Sequence, residues 1–456
     1  MRAKPEMRLA PEGAQALPYP KPARGWYVLG LLTLACVVSM VDRTILNLLV
    51  GPIRRDLHIT DTQMSLLMGF SFALFYALFG VILGRMADSG SRRQLIAGGV
   101  ATWSLSSAGC GLAKNFGQML VLRMGVGVGE ASLSPSAYSL LTDYFQPQLR
   151  ATAMSIYSMG IFIGIGVASV SGGFVTGWAS GRAGWTIPLI GDVRSWQIVF
   201  LAVGLPGLVL SLLMYSFAEP VRRGGCTRAK KMPFRDVLAY LNDNRKTYLC
   251  HHLGIAFLSF AGYGSISWAP TFFIRHHHWT PAEAGEGYGI VTAIAGSLGI
   301  VVGGRFADRL AVRGHADAYL RIAMMAAVAL IPLGSLYLLV SDSHLAVLLL
   351  LPSVFLASVP YGVAPAALMQ VTPSQMRGQV SAVYLFTVNL IGLGGGPTAV
   401  ALLTDRVFHN DKMVGASLLV VGIIANTLSA LTLCIGLKSY VRSQDHLRRW
   451  IAALPV

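Results

Sequence analysis

Gly84-Arg-Met-Ala-Asp88 and Gly304-Arg-Phe-Ala-Asp308 stand about half a chain apart. Each follows a long apolar run and opens a short basic loop. A repeat at that separation marks a duplicated chain. In a strongly apolar sequence, duplication points to two packed helical halves with a site between them.

Working outward, the chain of 456 residues is 54% hydrophobic and 12% charged, against about 25% charged in ordinary soluble domains. Many stretches of about 20 residues lack charge and are long enough to span a bilayer core. Twelve such segments can be placed, six before the basic loop at 218–246 and six after it. The expected fold is therefore an all-α integral membrane protein of twelve transmembrane helices in two six-helix halves. The expected boundaries are a disordered tail at 1–24, a first half at 25–217, a middle loop at 218–246, a second half at 247–437 and a tail at 438–456. Other repeats keep the same order. Arg150 precedes Tyr157 by the spacing at which Arg377 precedes Tyr384, and each Arg follows a Pro, Pro147 or Pro373.

The net charge of +16 could suggest nucleic acid, but its distribution argues against it. Most Lys and Arg fall on one set of tails and loops, as the positive-inside bias requires. Both termini are expected in the cytoplasm of a bacterial inner membrane, with the basic loops meeting anionic lipid headgroups. Within the middle loop, Phe234, Val237, Leu238 and Leu241 follow helical spacing. That helix lies on the membrane surface or packs on the protein. No Cys-x-x-Cys pair occurs among Cys36, Cys110, Cys226, Cys250 and Cys434, so structural thiols are expected.

Several motifs are decoys. Gly125-x-Gly127-x-Gly129 has no preceding strand and reads as close helix packing. No Gly-x-x-x-x-Gly-Lys-Ser/Thr occurs, which argues against ATP-driven work. His276 to His278 form a run at a helix end, and a metal site there is not expected. No cofactor is implied, and no nucleophile–base set supports an enzyme.

The residues around both repeats resemble the major facilitator superfamily over nearly the whole chain. Its loop motif is matched by Gly80, Gly84, Met86, Ala87, Asp88, Arg92 and Arg93, with Ser89 and Ser91 in place of Arg and Gly. The second copy has Ile300 for the first Gly and lacks the paired Arg. Arg123 and Gly127 match the helix-four motif. The helix-five Gly-Pro is replaced by Ala168-Ser169, which makes exchange less favoured. A narrower resemblance, to the spinster-like branch, rests on Asp42-Arg43, the run from Gly125 to Glu130-Ala131, Ser134-Pro135 and Asp143-Tyr144-Phe145. It implies an alternating-access transporter of lysolipids or sphingosine phosphate. In the superfamily the residue matching Asp88 contacts the start of a helix in the other half and a nearby Arg. Here the resemblance implies the helix after Arg377, and Arg150. Asp88, Arg92, Arg93, Arg150, Asp308 and Arg377 are thus the expected gating residues.

The strongest site candidates are charges within apolar helices, which cost roughly 2.5–3.5 kcal/mol each on insertion scales. Asp42 and Arg43 lie in the first helix, Arg123 and Glu130 in the fourth. At equal depth, Asp42 or Arg43 meets a fourth-helix charge, and which pair forms is left open. Burial and a neighbouring Arg act oppositely on a carboxyl's proton, so Asp42 and then Glu130 are the candidate proton carriers. Arg43 is the candidate anchor for carboxylate or phosphate, and Glu130 is also a candidate substrate contact. Arg123 is a second anchor or a structural partner of Asp42. The second half offers Tyr263, Trp268, Tyr361, Tyr384 and Asn389 as neutral substrate contacts. The expected partners are protons, an anionic amphipathic small molecule and membrane lipids, with the protein a monomer. A small organic anion, such as a sugar acid, is the rival substrate.

Overall fold

The computed structural model describes residues 19–180, 185–187, 191–222, 234–373 and 376–452. Among these, ten helices are long and apolar enough to cross a membrane: Pro22–Leu48, Asp61–Ala87, Thr152–Val175, Ser195–Ser216, Arg245–His276, Pro281–Val312, Ala318–Leu338, Ser343–Val371, Arg377–Val407 and Asp411–Trp450. Arg92–Cys110 makes a third span, and Phe116–Glu130 with Leu133–Tyr144 a fourth. The result is the expected twelve-span bundle. Among the described residues, the one departure from all-α is an antiparallel hairpin, Trp185–Ile187 with Gly191–Val193.

Local chemistry sets the helix ends. Ser91 and Asn115 cap the third and fourth spans by accepting from Gln94 N and Gln118 N, which satisfies otherwise orphaned amides. The fourth span breaks just after Glu130. Pro135 has no amide to offer the Ala131 carbonyl, and its ring crowds that oxygen. The first span tightens to a 3-10 turn, Ile45–Leu48, immediately after Arg43 and Thr44. Both breaks fall beside the intramembrane charges.

Close packing accounts for the glycine run of the fourth span. A Cβ on Gly129 would lie 2.6 Å from Trp103 N, so only glycine permits that approach of spans three and four. Across the halves, a Cβ on Gly285 of the eighth span would lie 2.2 Å from the Ser169 carbonyl of the fifth.

Two helices extend past the expected boundaries, and the middle-loop helix takes one of its two open placements. Helix begins at Pro22, within the stretch read as a tail, because proline at the first helical turn is favourable; residues 1–18 lie outside the described residues. At the other end, helix Val414–Ala452 runs through most of the expected C-terminal tail. There Tyr440 and Ser443 are buried, with Tyr440 OH donating to the Ala367 carbonyl. The middle-loop helix, Phe234–Asp243, packs on the protein. Val237 and Tyr240 are buried while Leu238 is exposed, and Tyr240 OH donates to the Val371 carbonyl. Cys226 lies outside the described residues, and Cys36, Cys110, Cys250 and Cys434 are free thiols.

Candidate functional site

A cavity of about 1080 Å³ lies between the halves. Its wall reaches Thr152 on the fifth span, Arg305 and Asp308 on the eighth and Ser381 on the eleventh. These residues sit near the helix ends that carry the repeated motif, so the cavity opens to that basic face.

The opposite face is locked by contacts between the halves. Arg275 holds both carboxylate oxygens of Asp61, at 2.6 and 2.8 Å. Arg54 reaches Asp411 at 2.6 Å and Asp61 at 2.9 Å. Thr62 donates its amide and hydroxyl to one oxygen of Asp405, both at 2.6 Å. Asp61 is fully buried. None of these gate residues was singled out from the sequence. Each is one ordinary polar or charged residue near a helix end, and only folding brings them together.

At the closed end of the cavity, Arg43 Nη2 donates to Glu130 Oε2 at 2.5 Å. The Arg43 guanidinium also lies 4.2 Å from the centre of the Phe72 ring, a cation–π contact. Both charges line the cavity, with Tyr76, Tyr263, Tyr361, Tyr384 and Asn389 around them. Asn389 opens a π-helical segment, Asn389–Gly395, a distortion common at functional sites.

Asp42, Arg123 and Trp268 do not belong to this wall. Asp42 is fully buried, with Oδ1 accepting from Ser107 at 2.6 Å. Arg123, also fully buried, donates to the carbonyls of Leu67, Asp42 and Arg43. It therefore holds the first-span backbone and does not reach a solute as the second anchor would have to. Trp268 is sealed in the second half, its indole N–H donating to the Pro397 carbonyl. The sequence put Asp42 and Arg123 at matching levels, and they do meet, but it could not tell which side of each helix met the cavity.

At the basic face, Arg92 joins elements of the first half, meeting Asp143 at 2.5 Å and Glu219 at 2.8 Å. Burial works against ionisation of Glu219. Hydrogen bonds from Ser91 and from the Arg92 side chain and backbone outweigh it and hold the carboxyl down to about 2. Arg93 donates to the Phe217 carbonyl. Arg150 and Arg377 are true counterparts, donating Nε to the carbonyl five residues back, Phe145 or Thr372. Asp308 accepts from Tyr319 OH at 2.5 Å. The Asp88 side chain lies outside the described residues. Arg150 also meets Tyr19 OH.

A solute path open to one face and sealed by inter-half ion pairs at the other is the geometry of alternating access. Such a membrane protein carries solutes across the bilayer and is not an enzyme. Residues 32–397 match the family model described as Major Facilitator Superfamily, and the chain belongs to that family. It is similar to an MFS-type efflux pump of Mycolicibacterium smegmatis, 29% identical over 84% of this chain and 85% of that one. It is also similar to human protein spinster homolog 1, 24% identical over 88% of this chain and 76% of the relative. In structure it resembles a bacterial homolog of the human lysosomal transporter spinster in an inward-facing, unoccupied conformation. That match has a TM-score of 0.73 and 27% identity, covering 93% of this chain and 98% of the other.

Proposed function

We propose that this transporter moves an anionic amphiphile, such as a lysolipid or a sphingosine-phosphate-like molecule, together with protons. One observation carries the reading: the cavity's closed end holds an Arg43–Glu130 pair on a wall that is otherwise largely aromatic, apolar and neutral. An acidic headgroup replaces Glu130 on the Arg43 guanidinium. Glu130 then loses the cation that favours its ionised form and takes a proton. Anion and proton thus bind cooperatively, and each raises the affinity of the other. Asp42, one residue from the anchor, is the second proton carrier, and Arg123 fixes the helix that bears both. Tyr263, Tyr361, Tyr384 and Asn389 contact the substrate body.

The basic face is assigned to the cytoplasm of a bacterial inner membrane, from the charge distribution. The protein works as a monomer. Asp88, Arg92, Arg93, Arg150, Asp308 and Arg377 form the machinery that closes that face in the alternate state.

Counterflow in proteoliposomes tests the substrate class. Radiolabelled lysophosphatidate is expected to exchange, faster with an inward proton gradient, and Arg43→Gln is expected to abolish the exchange. If only a sugar acid such as glucuronate exchanges, the small-anion reading replaces the lipid one.

A further inference from the structure

Beside the main cavity lies a smaller chamber of about 70 Å³, lined mostly by the second half. Its wall includes Ser265, Thr292, Tyr337, Ser353 and Asn426, and no Asp, Glu, Lys or Arg lines it. Asn426 Oδ1 is buried there without a hydrogen-bond partner, in a residue 4% exposed, and Thr292, 2% exposed, sits beside it with its hydroxyl toward Tyr288. Buried polar atoms nearly always find partners, so the Asn426 carbonyl oxygen facing this space calls for a ligand. By the same measure a water needs about 10–15 Å³, which leaves room for several waters or a short polar group. An ion would find no counter-charge among the lining residues, so an uncharged hydrogen-bonding group suits the wall best.

The chamber adjoins the transport cavity. Phe162 and Tyr361 line both, their rings edge to face at 5.6 Å. Phe162 comes from the fifth span, in the first half, yet its ring lies on Gly296 of the eighth. A Cβ there would be 2.2 Å from Phe162 Cδ1. The eighth span is π-helical over Thr292–Gly296, at this wall. A first-half aromatic ring thus stands on the shared wall of a chamber otherwise lined by the second half.

We propose that this chamber is a second substrate subsite. It takes an uncharged hydrogen-bonding group, a hydroxyl or an amide, at the far end of a substrate whose acid sits on Arg43, with Phe162 on the wall it shares with the main cavity. This rests on the anion reading above.

Binding of dodecanoate and ω-hydroxydodecanoate to the full-length protein in nanodiscs tests it. The wild type is expected to bind the hydroxylated probe about five-fold tighter, the worth of one neutral hydrogen bond. Asn426→Leu and, as a gentler change, Thr292→Val are expected to bring that ratio close to unity. Arg43→Gln is expected to weaken both probes and leave the ratio. Equal wild-type affinities would mean that the chamber holds water only and would overturn the proposal. So would a ratio unmoved by both chamber variants. A ratio that collapses in Asn426→Leu while Arg43→Gln changes nothing leaves the chamber standing and sinks the anion site. Binding of neither probe defeats both for this substrate class.

Discussion

Arg43 and Glu130 meet through a single 2.5 Å hydrogen bond, while Arg43 Nε and Glu130 Oε1 are buried without partners. The pair is therefore incomplete: it neutralises charge but leaves a donor and an acceptor uncommitted at a cavity wall. A static structural ion pair is normally finished by further hydrogen bonds. That incompleteness is what the proposed exchange of Glu130 for a substrate anion requires.

Exchange has a kinetic signature. Glu130→Gln is expected to keep counterflow but lose acceleration by a proton gradient, because the side chain can no longer take up charge. Gradient-driven uptake at the wild-type rate would remove Glu130 from the coupling step.

Asp42→Asn keeps an acceptor for Ser107 and so is expected to fold normally. It too should abolish pH-driven uptake in proteoliposomes. Thermal melting checks the fold and initial uptake rates check the coupling; unaltered proton-driven transport would show that Asp42 has no part in it.

The lock on the opposite face should be separable from the cavity. Arg275→Ala leaves Asp61 buried without its bidentate partner and should shift the population toward opening at that face. Spin labels on Arg55 and His409, exposed residues of the two halves, should then report a longer-distance population by pulsed electron resonance. An unchanged distribution would show that Arg54 and Asp405 suffice.

Two substitutions probe the frame. Gly285→Ala drives a methyl group into the Ser169 carbonyl and is expected to cost about 1–3 kcal/mol by overpacking, read as a lower melting temperature. Arg92→Ala leaves Asp143 and Glu219 without their shared cation, and removing one partner of a buried pair costs about 3–5 kcal/mol.

Glu219 gives a pH test with a definite sign. Its carboxyl is held at about 2, below the ordinary 4.5, so it stabilises the fold above about 4.5 and stops doing so as pH falls toward 2. The melting-temperature gap between wild type and Glu219→Gln should be flat from neutral pH down to that point and shrink below it. A gap that closes already between pH 8 and 6, on the order of neutrality, would assign the effect to another group.

What the sequence by itself determined was the architecture and the cost centres. Span count follows from runs of apolar residues, and the two-half plan from the Gly-Arg-x-Ala-Asp repeat and its companions Arg150 and Arg377. Asp42, Arg43, Arg123 and Glu130 stand out because a charge in a bilayer must have a reason to be there. Both kinds of signal are local, or repeat along one chain. Only the tertiary structure decided which of the four charges meet the cavity, because that depends on how each helix is rotated against its neighbours. It chose Arg43 with Glu130 and buried Asp42 and Arg123 behind them. It also assembled the Arg54–Asp61–Arg275–Asp411 lock and the Asn426 chamber, whose members lie on different spans far apart in the chain. No periodicity within one segment records such a meeting, since it is made by the packing of the two halves.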